Sequence, residues 1–351
     1  MTKPGRSRIV CSVARASAVV AVVLGCGCRS HEAVQAPARV FVSNEDAGTV
    51  SVIDARSHET LATIPVGKRP RGLRVSPDGR TLYVALSGSP KGGPGVDESK
   101  LPPPDRRADG IGVVDLARHE LVATIPSGPD PESFDLVGDR LLVVSNEDAS
   151  TATIVDLRAR AIRTTVPVGG EPEGVQTAPD GTVWVTSEAD NSVAVVDPIR
   201  AKVIATIPTG LRPRGIAFDH ERAVVTGEND GSVTIVDIAT RRAVGRVTLP
   251  TTGVLAPRPM GVVIDDAGRY AYVTTGRAGS VVVIDLQAAR IAKTIDEVGK
   301  RPWGITLGPR GLLYTANGPS DNVAVIDPRA GRVVGRIPSA GSPWGVTSTV
   351  R

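Results

Sequence analysis

Pro172-Glu173-Gly174-Val175, then Ala178-Pro179-Asp180-Gly181, then Val183-Trp184-Val185 and Glu188-Ala189-Asp190-Asn191, lead into Ser192-Val193-Ala194-Val195-Val196-Asp197 and Val203-Ile204-Ala205-Thr206-Ile207. In order, these are a strand opened by Pro-x-Gly, a turn, a second strand, a polar turn, a third strand closed by Asp, and a fourth strand. The same text returns along the chain, with markers at Pro70, Pro131 (where Ser133 stands for the Gly), Pro172, Pro213, Pro259, Pro302 and Pro343. A period near 41 residues holding four short strands and no helical pattern predicts a β-propeller blade. Seven markers predict an all-β, single seven-bladed propeller of four-stranded antiparallel blades. Both faces of each blade are covered by neighbours, which accounts for long β-branched runs with few aromatics.

The chain opens with three strands, near Val40-Phe41-Val42, Val50-Ser51-Val52-Ile53 and Leu61-Ala62-Thr63-Ile64, with no Pro-x-Gly strand before them. Pro343-Trp344-Gly345-Val346-Thr347-Ser348 supplies the missing strand, so the two termini are expected to share blade one and close the ring. An Asp ends each third strand: Asp54, Asp115, Asp156, Asp197, Asp237, Asp285 and Asp327. Their separation favours seven local turn caps over a metal site.

Residues 1–25 read as a targeting segment, with Lys3, Arg6, Arg8 and Arg15 ahead of an apolar run too short to span a bilayer. The end Val23-Leu24-Gly25-Cys26 resembles a bacterial lipoprotein cleavage box, which makes Cys26 the expected lipidation site and residues 26–38 a tether. An ordinary secretory signal is the alternative, and both export the chain. The formal charge of +4 is the charge of this leader, so the basic balance gives no reason to expect nucleic acid. Cys11, Cys26 and Cys28 all precede the propeller at 39–351, which therefore has no thiol for a disulfide, a metal or a covalent intermediate.

A repeated scaffold is its own control: positions that vary between blades can carry function. The residues flanking each marker Pro lie at one rim of the central channel. Around the ring they are Arg69 and Arg71, Asp130 and Glu132, Glu171 and Glu173, Arg212 and Arg214, Arg258 and Met260, Arg301 and Trp303, Ser342 and Trp344. Arginine forks and flat aromatic walls around a concavity suit a planar or anionic small molecule, or an acidic or aromatic segment of a partner. The competing reading is structural, with Arg71 pairing Glu132 and Glu173 pairing Arg214 across blade boundaries. An insertion at 87–107 in blade two replaces the polar turn on this rim, as a lid or as a solvated loop. Glu45, Glu147, Glu188 and Glu228 occupy that turn in other blades, where with the rim acids they could hold a divalent cation or answer the arginines.

The blade text, for example Leu313-Tyr314-Thr315-Ala316-Asn317 with Asn322-Val323-Ala324-Val325-Ile326-Asp327, resembles the YVTN-repeat β-propeller family over residues 39 to 350. Gly128-Pro129-Asp130-Pro131-Glu132, Glu171-Pro172-Glu173-Gly174, Arg258-Pro259-Met260-Gly261 and Arg301-Pro302-Trp303-Gly304 resemble exported propellers associated with quinone-cofactor (PQQ) catabolism. Those are similar to the superfamily of the haem domain of cytochrome-type nitrite reductases. That resemblance implies channel histidines for a haem or quinone site, whereas His31, His58, His119 and His220 fall in the tether or in turns away from the rim. No Ser/His/Asp or Cys/His arrangement is evident. The expectation is an exported, non-catalytic, monomeric binding propeller without cofactor or metal. Its partner would be a small molecule or a periplasmic protein, and lipidated Cys26 would hold it to a membrane, the outer in preference to the inner. The rivals are a metal-dependent hydrolase or isomerase using Asp130, Glu132, Glu171 and Glu173, and an accessory protein of a periplasmic redox pathway.

Overall fold

The computed structural model describes Met1 and residues 38–92, 96–251, 255–339 and 341–349. The expected leader, Cys26 and the tether up to residue 37 lie outside the described residues. Seven four-stranded antiparallel sheets form, each in the order innermost to outermost. Blade two runs from Pro70–Val75 to Glu120–Ile125, three from Pro131–Val137 to Ala161–Pro167, and four from Pro172–Thr177 to Lys202–Pro208. Five runs from Pro213–Phe218 to Arg242–Thr248, six from Pro259–Ile264 to Arg290–Ile295, and seven from Pro302–Leu307 to Arg332–Pro338. Blade one is shared between the two ends, since Arg39–Asn44 pairs with Pro343–Ser348 through Val40 with Ser348, Phe41 with Thr347 and Val42 with Val346.

Between each pair of neighbouring blades lies one hydrophobic cluster, so the molecule has seven cores in a ring rather than one centre. Phe41, Val50, Val52 and Ile64 of blade one meet Leu73, Leu82, Val84 and Val114 of blade two. Val40, Val42, Ile53 and Val346 of blade one close the circle against Tyr314, Ala316, Val323 and Ile337 of blade seven. The third-strand aspartates are structural corners. Asp54 accepts the N–H groups of Arg56 and Ser57 at 2.7 and 2.9 Å, and Asp115, Asp156, Asp197, Asp285 and Asp327 repeat that double capping. Asp237 caps Thr240 by backbone and hydroxyl.

Two local devices aim side chains at the channel. The residue before each marker Pro has a left-handed backbone in all seven blades, with φ from 38° at Arg69 to 61° at Ser342, although none is a glycine. That conformation costs an L-residue about 1–2 kcal/mol, so the ring carries it for the sake of the turn onto the innermost strand. Directly after, the register between first and second strands slips by one residue, as between Pro172 and Val175. Such a bulge re-aims the intervening x residue. In blade four the following Gly is required by packing: a Cβ on Gly174 would lie 2.1 Å from the carbonyl oxygen of Arg214 in the next blade.

Candidate functional site at the mouth of the channel

In five blades a hydroxyl on the second strand fixes the x residue of the next blade. Thr226 Oγ1 accepts the N–H of Gly215 at 2.8 Å and donates to the carbonyl of Met260 in the next blade at 2.7 Å. Thr274 does the same between Gly261 and Trp303, Thr186 between Gly174 and Arg214, and Ser43 between Gly345 and Arg71. Ser145 joins Ser133 to Glu173. In five blades the left-handed residue is tied to the polar turn of its own blade, as in the bond from Glu228 N to Arg212 O at 3.0 Å. Flanking residues and turn residues are thereby placed side by side on a rigid rim.

The rim encloses a funnel of about 780 Å³. Of the twelve rim residues singled out from the sequence, ten line it: Arg69, Arg71, Asp130, Glu173, Arg212, Arg214, Arg258, Arg301, Trp303 and Trp344. Glu132 lies beneath, fully buried and hydrogen-bonded to Arg71 Nη1. Glu171 stands outside the funnel lining on the rim, 3.9 Å from Arg212. Below the funnel the channel continues as a smaller cavity of about 320 Å³ walled by the marker glycines and Met260, then opens into a third of about 610 Å³ at the opposite face. No histidine lines any of these cavities among the described residues. His58 sits instead against Tyr314, with Nε2 at 3.3 Å from the phenol oxygen.

Blades two to five form a wall of internally compensated charge. Arg214 Nη1 lies 3.1 Å from Glu173 and 2.7 Å from Glu188, and its Nε donates to Glu228 at 2.9 Å. Arg212 adds Glu188 at 2.7 Å and Glu228 at 3.2 Å. Three carboxylates thus share two guanidiniums. Burial, joined by the charge of Glu173, pushes Glu188 up to about 8 despite both arginines. Glu228 is also buried, but Arg214, Arg212 and Arg258 hold it below the ordinary carboxylate range. Around Arg71, burial and the crowding of acids raise Glu132 and Glu147. The pairs Arg71 with Glu132 and Glu173 with Arg214, expected as staples across blade boundaries, are formed.

The oxygens of Asp130, Glu132 and Glu147 lie within 4.8 Å of one another. One of the Asp130 oxygens already accepts from Ser87 Oγ, and Glu132 is committed to Arg71. Glu132 and Glu147, pushed toward their protonated forms by burial and neighbouring acids, are poor ligands for a hard cation.

Blades six, seven and one differ. Trp303 and Trp344 stack at 5.7 Å between ring centroids with 27° between planes. Arg71 lies over Trp344 at 4.7 Å, and Arg214 and Arg301 lie over Trp303 at 5.4 and 5.1 Å. The polar turn of blade six reads Gly276-Arg277 in place of an acid, and Arg277 joins the lining. The sequence reading did not single out Arg277, because it lies one residue past the position compared between blades.

The insertion in blade two completes the funnel. Ser89, Pro90, Lys91, Gly92 and Leu101 to Pro104 line it. Arg69 Nη1 donates to the carbonyl of Ser89 at 2.6 Å, Lys91 Nζ reaches Asp46 at 2.8 Å, and Arg106 pairs with Asp109 and Asp148. These contacts tie residues 89–91 and 106 to the rim, an anchorage that neither the lid nor the solvated-loop reading of 87–107 had included.

Comparison with known proteins supports the architecture. No protein-family model matches the chain. The protein YncE of Salmonella typhi is 41% identical over 46 residues, which is 13% of this chain and 13% of that protein. A chain of the hydrazine synthase of Kuenenia stuttgartiensis superposes with a TM-score of 0.68 at 21% identity, covering 82% of this chain and 91% of that one. A candidate 6-phosphogluconolactonase of Bacteroides fragilis gives 0.73 at 15%, covering 91% and 99%. The dihydro-heme d1 dehydrogenase NirN gives 0.61 at 16%, covering 88% and 74%. At these identities the likeness is one of fold, the seven-bladed propeller, carried by proteins of different roles.

Proposed function

We propose that this protein is an exported, non-catalytic binding propeller that holds a small molecule in the funnel at one mouth of its channel. The observation that carries the reading is the funnel itself: about 780 Å³, within the size range of small-molecule sites, and walled by side chains whose backbones are clipped to the neighbouring blade. The leader ending at Cys26 supports export and a lipid anchor. Native mass spectrometry of the full chain purified from its own host tests the proposal. A small molecule retained by the native protein and lost from Trp344→Ala is the expected result; a protein chain carried in its place, or an empty funnel, overturns it.

The acidic trio of Asp130, Glu132 and Glu147 favours one rival, a metal-dependent hydrolase or isomerase. A melting temperature that rises by several degrees with calcium or magnesium and falls with chelator would support it; indifference to both removes it.

A further inference from the structure

Rim arginines in this ring follow a rule. In blades two and five the arginine before the marker Pro is answered by the turn acid of the preceding blade, of its own blade, or of both. Arg69 takes Glu45 of blade one at 3.2 Å. Arg212 takes Glu188 of blade four at 2.7 Å and Glu228 of its own blade at 3.2 Å. At blade six the rule weakens, since Arg258 comes only to 3.9 Å of Glu228, a carboxylate already engaged by Arg212 and Arg214. At blade seven it fails. The turn that should answer Arg301 from blade six offers Arg277, a like charge, and the turn of blade seven itself is Gly318-Pro319-Ser320. Among the described residues, neither Arg277 nor Arg301 has a carboxylate at ion-pair distance. Arg277 and Arg301 are exposed and Arg258 is half-buried, and all three face the same funnel. Burial of its stem, with the charges of Arg214 and Arg277, pulls Arg301 below its ordinary range, the sign of a cation short of counter-charge.

Beside this gap the wall is aromatic, made by the half-buried Trp303 and Trp344, which stack on each other, with Arg301 lying over Trp303 and Arg71 over Trp344. We infer that Arg258, Arg277 and Arg301, together with the Trp303 and Trp344 faces, form a subsite for a planar aromatic molecule bearing carboxylate groups. The inference rests on the small-molecule reading above and names its ligand class. Guanidinium forks match carboxylates in two-point geometry, and indole faces accept a flat ring by stacking. Neither contact alone selects this class. A flexible dianion satisfies the arginines and forfeits the stacking; a flat neutral ring stacks and leaves Arg277 and Arg301 unanswered.

Calorimetry on the full chain with three probes tests this. Naphthalene-2,6-dicarboxylate carries ring and charge, cyclohexane-1,4-dicarboxylate carries charge alone, and naphthalene-2,6-dicarboxamide carries the ring alone. Naphthalene-2,6-dicarboxylate is expected to bind at least about tenfold more tightly than either control. Arg277→Gln and Arg301→Gln should each weaken it at least about tenfold with the melting temperature unchanged, and Arg277→Lys should restore part of the loss. If the dicarboxamide binds as well as the dicarboxylate, or if both Gln variants bind like the native chain, the subsite falls. The funnel reading then survives provided Trp344→Ala still abolishes binding. Absence of binding by naphthalene-2,6-dicarboxylate at millimolar concentration also overturns the subsite, and a neutral or cationic molecule found in the funnel by mass spectrometry overturns it while leaving the funnel reading intact.

Discussion

The two halves of the funnel are built on one backbone and differ in charge accounting. From blade two to blade five, guanidiniums and carboxylates are buried together and satisfy one another; Glu188 and Glu132 are essentially inaccessible. In blades six and seven the turn acids are missing, and Arg277 and Arg301 stand open to solvent beside the half-buried indoles of Trp303 and Trp344. The difference teaches that a charged rim is two things at once. Where the pairs are buried they hold blades together, and where they are broken a surface is left that can answer something else.

Three variants and one titration can break that contrast. The largest effect is expected in the closed half, where Arg214→Ala leaves Glu173, Glu188 and Glu228 without their shared cation. Removing one partner of a buried pair costs about 3–5 kcal/mol, a fall of about 10 °C in a domain of this size; calorimetric melting checks it, and a fall under about 2 °C would mean the wall is not load-sharing. Next in size is the blade-to-blade clip. Thr226→Val orphans the N–H of Gly215 and the carbonyl of Met260, at a cost of about 1–3 kcal/mol, and should loosen amide exchange at both positions.

The third effect is in pH dependence. Glu132, Glu147 and Glu188 are raised above the ordinary value near 4.5, so their protonated forms stabilise the folded state. That contribution is complete below pH 4.5 and is lost as pH rises through their folded values, about 8 for Glu188. Glu45 and Glu228 are held low despite burial, by Arg71, Arg69 and Lys91 in one case and chiefly by Arg214 in the other, and lose their contribution only as pH falls. The melting temperature should therefore decline as pH rises from 4.5 to about 8, and Glu188→Gln should flatten the decline; an unchanged slope would place the ionisation elsewhere. The smallest effect belongs to the open half: Arg301→Ala should change stability by no more than about 0.5 kcal/mol. A loss matching that of Arg214→Ala would erase the distinction between the halves.

Much of this was legible in the residues themselves. Pro-x-Gly markers, Asp-terminated third strands and β-branched runs specify four strands per blade and seven blades, and the absent first strand before Val40 announces the closure through Pro343–Ser348. The paired Arg71 with Glu132 and Glu173 with Arg214 were readable because oppositely charged x residues occupy adjacent blades. Two things were not. The Thr and Ser clips, such as Thr226 to Met260, look like ordinary strand hydroxyls until the next blade is in place to receive them. Arg277 escaped because turns of unequal composition do not align by position; only the three-dimensional proximity of Arg301 shows which residue took the place of an acid.

The clip has a wider consequence. Because it grips the main-chain carbonyl of five x residues and leaves their side chains alone, the scaffold is indifferent there to what the side chain is: arginine, glutamate, methionine and tryptophan are all seated by the same joint. The mouth is in effect a ring of interchangeable sockets, in which a new chemistry can be fitted one tooth at a time without recutting the wheel.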